Sequence, residues 1–541
     1  MPELTGGQAL VEALKLHGVD TIFGLPGIQL DWAFDALWAE RESIKVIHAR
    51  HEQATVGMAD GYARSTGKIG VALVVPGPGV LNTTAALSTA YACNSPVLLL
   101  TGQVQSDLID AGRGLLHEIH DQLGLLRHLT KWSERSMKPE EIPGHVAAAF
   151  RELQSGRVRP VSLEIPPDVL AAKADVRLPE PYIPNAREPE SEAMEQAARA
   201  LGQAKNPVIF VGGGVISAEA SDELLQLAEM LQAPVYASSN GRGALSDHHY
   251  LSQFQISAPD LVAEADVILV AGTRFLQGLT ASWGPKDGQT VIRLDIDEDE
   301  ITRIKKPDIA LIGDAKAGLA GLVARTSRHN AARPSRKEEM EDIRTRSRQA
   351  YDAVGLQADY ANAIRAEAPD DAIIVGEMTQ VAYWSNLAFP VYKPRSYITP
   401  GYQGTLGFGF ATALGAKVGN PDRVVISVNG DGGFGYQLQE LSTMARHGIG
   451  AIAIVFSDNA YGNVRRIQKL QFNGHTIASD LHNPDWVKLA EAFGVNAARA
   501  TTPDELRLQL RNAMGRADGT LIEVPMPEVP QMLGLRLPAK A

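Results

Sequence analysis

The sequence contains a single cysteine, Cys93, among its 541 residues. One thiol cannot form an intrachain disulfide, and it cannot supply the paired thiolates of the common zinc motifs. The two histidines of His117-Glu118-Ile119-His120 are three positions apart, so they miss the helical spacing of the metalloprotease motif. We therefore expect neither a disulfide framework nor a zinc site, and this cysteine usage agrees with a reducing cytoplasm.

Long apolar runs and an excess of basic residues are also missing. No stretch approaches the roughly 20 apolar residues that a membrane-spanning helix needs. The first seven residues show neither a cationic leader nor an apolar segment. With a formal net charge of -12, the chain has no basic surface for nucleic-acid phosphates. We expect a soluble protein without nucleic-acid or membrane partners.

The length of the chain exceeds what one hydrophobic core can serve, which indicates about three domains. Helical patterns alternate with short apolar segments throughout, as in α/β folds with parallel sheets. The proline-rich stretch 179–189 is typical of a linker, and the charged stretch 333–348 is typical of a helical connector. We therefore expect α/β domains at residues 1–183, 190–330 and 355–541.

Eleven short apolar segments are candidate strands. They are residues 20–24, 44–49, 69–75 and 97–101 in the first domain, 207–211, 235–237, 267–271 and 290–295 in the second, and 372–375, 424–429 and 451–456 in the third. Glycine- and proline-rich turns at residues 24–27 and 76–79 follow two of them, at the sheet edge where α/β folds bind ligands. The glycines at 212–214 lack the full dinucleotide motif and are interpreted as a structural turn.

Two successive strand ends in the third domain carry oxygen ligands. Asp431 follows one strand within Gly430-Asp431-Gly432, and Asn459 follows the next. Mg²⁺ prefers oxygen ligands and shares its shell with phosphates. The glycines would let backbone approach phosphate oxygens, and a helix after Phe434 would point its amide end at them. Although Gly-Asp-Gly alone is common in ordinary turns, the paired asparagine favours a magnesium–diphosphate site.

This pair of segments resembles the thiamine-diphosphate signature of the superfamily of pyruvate decarboxylase, acetolactate synthase and benzaldehyde lyase. Segments resembling acetolactate synthases and benzaldehyde lyase extend over essentially the whole chain, at residues 5–34, 50–67, 95–103, 129–132, 160–170 and 397–419. The resemblance implies three consecutive α/β domains with parallel sheets. The first would bind the pyrimidine and the third the diphosphate of thiamine diphosphate, paired across the dimer interface of a homodimer or homotetramer.

The resemblance also implies the cofactor contacts. Asp431, Asn459 and the carbonyl of Tyr461 would bind Mg²⁺. Leu406 would wedge the cofactor into its bent conformation, although composition alone predicts a core residue there. The remaining predicted contacts with thiamine diphosphate are Gly376, Glu377, Met378, Thr379, Gln380, Gly404, Gly430, Gly432, Gly433, Phe434, Gly462 and Asn463.

Glu52 is the predicted catalytic residue of the first domain. It follows the strand at 44–49 and opens a helical pattern, where a glutamate commonly just stabilises the helix dipole. In the family, a glutamate here hydrogen-bonds the pyrimidine and favours the tautomer that removes the thiazolium C2 proton. Because Glu52 and Asp431 belong to domains that relatives place in neighbouring subunits, the resemblance implies shared active sites and an inactive monomer.

Three further residues are predicted around the substrate. Gln29 stands where benzaldehyde lyase has a substrate-facing histidine. His117 and Glu118 stand where acetolactate synthases have Phe-Gln-Glu and benzaldehyde lyase has an active-site glutamine. We expect one of the two to contact substrate, and the alternative is a solvated loop histidine.

The chain departs from acetolactate synthases at three places. Residues 271–278 lack the Asp-Asp-Arg of the corresponding segment, so the arginine that orients the second keto acid has no counterpart at Gly278. The Gly-Met-His-Gly stretch of flavin-binding members is absent between residues 251 and 261, which makes FAD doubtful. Residues 462–467 replace a segment that contains a tryptophan in acetolactate synthases. Within them, Arg465 or Arg466 would pair with a substrate carboxylate, or the two would form a solvated surface pair.

The predicted function is that of a carboligase or decarboxylase acting on a 2-keto acid such as pyruvate, similar to acetolactate synthase. The first alternative is a benzaldehyde-lyase-like enzyme that cleaves or forms 2-hydroxy ketones from aldehydes. A flavin-dependent pyruvate oxidase and a non-catalytic subunit are further alternatives, and a small regulatory partner stays open.

Overall fold

The computed structural model describes residues 3–275, 284–303, 306–530 and 535–539. The prediction concerning Gly278 lies outside these residues. Within them, three parallel sheets follow one another along the chain, and a short antiparallel pair joins β1 (Glu3–Thr5) to β8 (Lys173–Asp175). The predicted α/β class with three sheets is confirmed, and each predicted strand ends within one residue of its expected bounds.

The first sheet has six parallel strands in the order β3-β2-β4-β5-β7-β6. Its strands are β2 (Thr21–Gly24), β3 (Lys45–His48), β4 (Gly70–Val74), β5 (Val97–Gly102), β6 (Trp132–Arg135) and β7 (Val161–Ile165). The helices around it are α1 (Gly6–Leu16), α2 (Asp31–Ala39), α3 (Glu52–Thr66), α4 (Pro78–Cys93), α5 (Gln122–Arg127), α6 (Ile142–Gln154) and α7 (Pro167–Ala171). Strands β4, β5 and β7 are buried along their whole length, because helices cover both faces of the sheet.

The second sheet has five parallel strands in the order β10-β9-β11-β12-β13. The strands are β9 (Pro207–Val211), β10 (Val235–Ala237), β11 (Val267–Ala271), β12 (Thr290–Asp295) and β13 (Ile309–Ile312). The helices are α8 (Ser191–Gln203), α9 (Gly213–Ser217), α10 (Ser221–Leu231), α11 (Ala258–Glu264), α12 (Glu298–Arg303) and α13 (Ala315–Thr326). Residues 179–189 before it form neither helix nor strand, as the linker prediction requires.

The third sheet has six parallel strands in the order β15-β14-β16-β17-β19-β18. The strands are β14 (Ile373–Gly376), β15 (Tyr397–Ile398), β16 (Val425–Gly430), β17 (Ile452–Ser457), β18 (Asn496–Arg499) and β19 (Thr520–Pro525). The helices are α14 (Lys337–Asp352), which spans most of the predicted connector, α15 (Leu356–Glu367), α16 (Gln380–Ala388), α17 (Phe408–Gly419), α18 (Asp431–Phe434), α19 (Leu441–His447), α20 (Gly462–Gln471), α21 (Trp486–Ala492) and α22 (Pro503–Met514).

The strand order reverses between β14 and β16, and in the first sheet between β2 and β4. Such reversals open a crevice outside the carboxyl ends of the strands, where ligands bind in this class of fold. Asp431 follows β16 directly, and Gln29 lies in a short 3₁₀ helix (Ile28–Leu30) after β2. The topology therefore places predicted site residues at both crevices.

Helices α3 and α17 pack closely and join the first sheet's region to the third. Glycines make the close approach possible, since a Cβ on Gly61 would collide with the Thr412 carbonyl and one on Gly415 with the Met58 carbonyl. The amide of Gln53 also donates a 3.4 Å hydrogen bond to the Leu406 carbonyl. No helix among the described residues is long and apolar enough to cross a membrane.

Candidate active site

Asp431 organises the carboxyl ends of β16 and β17. It is the first residue of α18, and its side chain is buried. Its Oδ2 accepts hydrogen bonds from the Asn459 backbone at 2.8 Å and from Ser457 Oγ at 3.2 Å, while Oδ1 accepts from the Gly432 backbone at 2.8 Å. Burial raises the pKa of Asp431, and these hydrogen bonds oppose that shift. The adjacent strand ends thus bring Asp431 and Asn459 together, as expected.

Asn483 joins this pair, and sequence reasoning missed it. Its side-chain Nδ2 donates to Asp431 Oδ2 at 2.6 Å and to Asn459 Oδ1 at 3.1 Å. A single donor group therefore lies between the side-chain oxygens of two predicted metal ligands. The only signal in the sequence is its place just before Asp485, the N-cap of α21, and nothing in that pattern points to a site 52 positions away.

The loop after Asn459 supplies the third predicted ligand. Asn459 adopts a left-handed conformation with φ 53°, which turns the chain toward α20. The Tyr461 carbonyl accepts the first hydrogen bond of α20, from the Arg465 backbone at 2.9 Å, and a carbonyl oxygen keeps a second lone pair for a ligand. The donor set of carboxylate, amide and carbonyl oxygens suits Mg²⁺. Among the described residues, no cluster of three His, Cys, Asp or Glu offers another metal site.

A second carboxylate, Asp458, lies beside Asp431. Burial, and next the neighbouring Asp431 charge, raise the pKa of Asp458 to about 6. Its Oδ1 accepts from the Ala460 backbone at 3.2 Å, and a Cβ on Gly462 would collide with Oδ2. A side chain at position 462 would therefore displace the Asp458 carboxylate. Asn463, predicted as a cofactor contact, accepts a hydrogen bond from Arg466 Nη2 at 2.5 Å.

The predicted contacts Gly432, Gly433 and Phe434, which we call the diphosphate cradle, follow β16 and Asp431. Gly432 packs against the Tyr461 ring, where a Cβ would lie 2.8 Å from ring carbons, and a Cβ on Gly433 would collide with Glu377 Oε1. Phe434 is fully buried, with its ring 5.0 Å from that of Phe410, so only its backbone can face a ligand. The helix expected after Phe434 instead begins at Asp431 and ends at Phe434. The Gly432 amide donates to Asp431 Oδ1, and the glycines leave no side chain between this backbone and an approaching anion.

The segment after β14 borders the same crevice. Gly376 ends β14, and the half-buried Met378, Thr379 and Gln380 lead into α16. A Cβ on Gly430 would lie 3.4 Å from the Met378 carbonyl, so the ends of β14 and β16 are in contact. Glu377 differs from its neighbours: its side chain turns under the crevice and is only 1% exposed.

The loop before α17 carries the predicted wedge. Gly404 and Gly407 have φ values of 58° and 78°, which favour glycine. Between them, Leu406 is half-buried rather than part of the core. The Thr405 and Thr89 hydroxyls are 2.6 Å apart, so the loop is attached to α4 of the first domain. An apolar side chain held in this way at the crevice is compatible with the wedge prediction.

Glu52 begins α3, and His51 caps that helix by accepting from the Gln53 backbone. Its half-buried carboxylate accepts a 2.9 Å hydrogen bond from Asn82 Nδ2 on α4, a partner that sequence reasoning missed. Asn82 lies on the same edge because it is in the second turn of α4, which begins at Pro78 within the 76–79 turn. Among the described residues, no hydrogen bond or salt bridge joins the Glu52 side chain to Asp431.

Gln29 and His117 meet, whereas Glu118 turns away. His117 Nδ1 lies 3.1 Å from Gln29 Oε1, and Gln29 Nε2 donates to the Leu116 carbonyl at 3.1 Å. Glu118 instead accepts from the backbones of Leu115 and Gly112, both at 2.9 Å, and these bonds lower its pKa. Of the two candidates, His117 is the one that the structure places beside Gln29.

Arg465 and Arg466 are both occupied by protein partners. Arg465 forms a 3.0 Å salt bridge with Asp480. Arg466 is buried and donates to Asn463 and, at 3.5 Å, to the Val529 carbonyl. The prediction of a solvated surface pair is wrong for Arg466, because the C-terminal segment around Val529 covers it.

A cleft of about 1210 Å³ lies at the carboxyl edge of the second sheet, and no residue of the Asp431 cluster lines it. The glycine turn at 212–214 contributes Gly213 and Gly214 to its wall, and Arg64, Arg274 and Arg395 also line it. A Cβ on Gly212 would collide with the Gly272 carbonyl, so that glycine is required for packing. A Cβ on Gly214 would likewise lie 2.7 Å from Gly272 Cα, so packing favours the structural turn at both glycines, while Gly213 has more room.

The three parallel sheets, the two crevices and the oxygen cluster of Asp431 and Asn459 are the features expected of a thiamine-diphosphate enzyme, and family comparisons support this class. The chain belongs to the thiamine pyrophosphate enzymes: the N-terminal TPP-binding domain matches residues 4–125, the central domain 194–322 and the C-terminal TPP-binding domain 377–524. It is therefore related to enzymes that use thiamine diphosphate for carbon–carbon bond chemistry.

Individual relatives extend over nearly the whole chain. The probable 2-ketoarginine decarboxylase AruI of Pseudomonas aeruginosa is 36% identical over 538 residues, covering 96% of this chain and 94% of its own. The probable acetolactate synthase large subunit of Methanocaldococcus jannaschii is 34% identical, covering 96% and 92%. Acetolactate synthase isozyme 3 large subunit of Escherichia coli is 32% identical, covering 95% and 93%.

Proposed function

We propose that this protein is a cytoplasmic, Mg²⁺- and thiamine-diphosphate-dependent carboligase or decarboxylase of 2-keto acids such as pyruvate. The observation that carries the proposal is the oxygen cluster of Asp431 and Asn459 at the crevice between β14 and β16, with the glycines of α18 beside it. Asp431, Asn459 and the Tyr461 carbonyl would bind Mg²⁺. The backbones of Gly430, Gly432 and Gly433 would face the diphosphate. We also propose that the three domains span residues 1–183, 190–330 and 355–541.

When bound, thiamine diphosphate supplies a centre that stabilises a carbanion next to a carbonyl. In our proposal Glu52 hydrogen-bonds the pyrimidine and holds the proton that must move during activation, with Asn82 fixing its carboxylate. Gln29 and His117 form a hydrogen-bonded pair that can orient a substrate oxygen and relay a proton. Leu406 excludes water and shapes the pocket.

We further propose that each active site forms between two chains. Large apolar side chains are exposed at the edges that would meet: Ile28 is 65% and Leu116 61% exposed beside Gln29, and Val464 is 50% exposed near Tyr461. Apolar clusters of this kind mark protein interfaces. Within one chain, the packing of α3 on α17 joins the domains without bringing the Glu52 carboxylate into contact with Asp431.

Subunit complementation tests the shared site. We expect Glu52→Gln and Asp431→Asn each to be inactive as pure dimers. Co-expressed with different tags and purified as the mixed dimer, they should recover about one active site in two, because one of the two sites at the interface then combines intact Glu52 with intact Asp431. A mixed dimer as inactive as its parents would show that both residues act within one chain.

The reaction itself is tested by product analysis. The purified protein is incubated with thiamine diphosphate, Mg²⁺ and pyruvate, 2-ketoarginine, or an aldehyde alone. We expect carbon dioxide release from a 2-keto acid, with an aldehyde or acetolactate as product. Hydroxy-ketone formation from aldehydes without decarboxylation would instead assign an aldehyde lyase. Flavin absorbance in the purified protein, which we do not expect, would favour the oxidase alternative.

A further inference from the structure

Two buried polar side chains lie beneath the cradle, on neighbouring parallel strands. Glu377 follows β14 and is 1% exposed, and Asn429, next to the last residue of β16, is 0% exposed. No salt bridge among the described residues includes Glu377. A carboxylate without a cation in such a place carries a large desolvation cost.

The orientation of Asn429 is fixed by its own hydrogen bonds. Its Nδ2 donates to the Ile454 carbonyl at 3.0 Å and to Ser427 Oγ at 2.9 Å. Because a backbone carbonyl can only accept, the amide cannot be flipped without losing that bond. Asn429 Oδ1 must therefore point away from β17, toward Gly409 and Glu377.

One oxygen of Glu377 is satisfied and the other is not. Oε1 accepts from the Gly407 backbone at 2.5 Å, next to the start of α17. Glu377 Oε2 and Asn429 Oδ1 are both buried without a hydrogen-bond partner. A Cβ on Gly409 would collide with Asn429 Oδ1 and lie 3.2 Å from Glu377 Oε2, so both oxygens border the same small space. Two buried acceptors that border one small space lack a donor, and one proton between them would satisfy both.

We propose that Glu377 is a neutral carboxylic acid whose Oε2–H donates to Asn429 Oδ1, and that this tie positions the Leu406 loop against the diphosphate cradle. The acid would connect three segments: β14, the amide end of α17 through Gly407, and β16 through Asn429. Glu377 is then a positioning residue beneath the cofactor rather than a contact of it. The proposed function enters only in identifying the cradle's ligand as diphosphate.

Electrostatics support the neutral form. Burial raises the pKa of Glu377 to about 8, although the backbone amides of Gly407, Phe408 and Gly409 lower it. A Cβ on Gly433 would collide with Oε1, so the carboxyl lies directly under the cradle backbone. An ionised carboxylate there would repel a bound diphosphate, whereas a neutral acid would not.

The titratable and charged groups on the surrounding elements do not compensate a charge on Glu377. Its pKa is shifted by burial and backbone hydrogen bonds alone, with no contribution from a charged neighbour. The titratable and charged side chains on the elements around Glu377 are Tyr383 on α16, Tyr397 on β15, Asp431 on α18, Asp458 after β17, Arg465 and Arg466 on α20, and Lys417 in the last turn of α17.

The raised pKa of Glu377 means that the stability of the folded protein falls as pH rises. A carboxyl with a raised folded-state pKa contributes its full stability below the unfolded pKa near 4.5, and this stability is lost as pH rises to about 8. Glu377→Gln keeps both hydrogen bonds, because its Nε2 can replace Oε2–H, and it carries no proton to lose. Relative to the wild type, its folding constant should therefore rise by up to about tenfold per pH unit across that window.

The experiment measures denaturant unfolding of the cofactor-free protein from about pH 5 to about pH 8, for wild type and Glu377→Gln, each with and without Asn429→Leu. We expect equal midpoints at the acid end, a growing advantage for the Glu377→Gln variant toward the alkaline end, and a similar loss from Asn429→Leu in both backgrounds. The infrared difference spectrum of the wild type minus Glu377→Gln near neutral pH should contain a protonated-carboxyl band, because burial also raises the pKa of Asp458 to about 6 and of Glu440 to about 7, and these two carboxyls contribute to both proteins alike.

A Glu377→Gln variant less stable than the wild type at every pH would overturn the proposal, as would the absence of that infrared band. If the variants fold poorly, the wild type alone keeps the test, because a component of this band should disappear only as pH rises through about 8. None of these measurements uses catalysis. If the protein lacked the proposed activity but gave the expected unfolding and infrared results, the proposed function would be wrong and the proposal for Glu377 would stand.

Discussion

Replacing Glu52 with glutamine should lower kcat by about 10²–10⁴-fold, the range that a positioned proton-transfer group contributes. Glutamine has the same shape and can keep the hydrogen bond with Asn82, but it cannot accept or release the proton. Because the Glu52 side chain is half-buried and makes no salt bridge among the described residues, folding should change little. Loss of its charge from the first turn of α3 costs only about 0.3–1 kcal/mol.

The measurement is steady-state kinetics of product formation together with thiamine diphosphate affinity and an unfolding midpoint. Glu192→Gln is the matched control, since it removes an exposed first-turn carboxylate from α8 of the second domain. We expect the control to retain wild-type kcat and Glu52→Gln to keep most of its stability. Undiminished kcat in Glu52→Gln would remove this residue from the mechanism.

Replacing Asp431 with asparagine should weaken Mg²⁺-dependent binding of thiamine diphosphate by at least about 100-fold, beyond the roughly 10–100-fold that outer ligands of a metal contribute. Asparagine supplies one neutral oxygen where the site has an anion. It would also place an amide group against donors, because Asp431 Oδ2 accepts from Asn459, Asn483 and Ser457. The strand-end geometry would then be lost along with the ligand charge.

Calorimetric titration of the apo protein with thiamine diphosphate, with Mg²⁺ and with a chelator, measures this effect. Asp458→Asn is the control, because it removes the adjacent carboxylate and leaves Asp431, Asn459 and Tyr461 in place. We expect the control to change the dissociation constant no more than a few-fold and Asp431→Asn to behave like the chelated wild type. Equal losses in the two variants would mean that the local charge, and not a ligand at Asp431, controls binding.

Much of the architecture was predictable because strand periodicity is local. The candidate strands match the structure to within a residue, and parallel sheets gather their carboxyl ends at one edge, so Asp431 and Asn459 had to approach each other. Six strands of the three parallel sheets were missed. β6, β15 and β18 are very short or only partly buried, and a glutamate interrupts the apolar residues of the buried strands β7 and β19. The apolar run of β13 is only four residues long. Their pairing depends on neighbours that are distant in the sequence.

Side-chain partners were less predictable than strand positions. Glu377 and Glu118 carry the same functional group as Glu52, yet one is buried under the cradle and the other is bound by its own loop. Asn82 and Asn483 contact the predicted site residues from other helices or loops. No periodicity or motif records which way these side chains turn, because packing against several separate segments decides it.

The sequence by itself determined the α/β class, the succession of three sheets and the thiamine-diphosphate signature, since each depends on residues close together or on one recurring spacing. Only the tertiary structure decided that Gln29 meets His117, that Arg466 is buried, and that Glu377 Oε2 and Asn429 Oδ1 border the same small space without a donor. That space lies where strands β14 and β16 and the start of α17 converge, and burial there makes every unpaired polar atom costly.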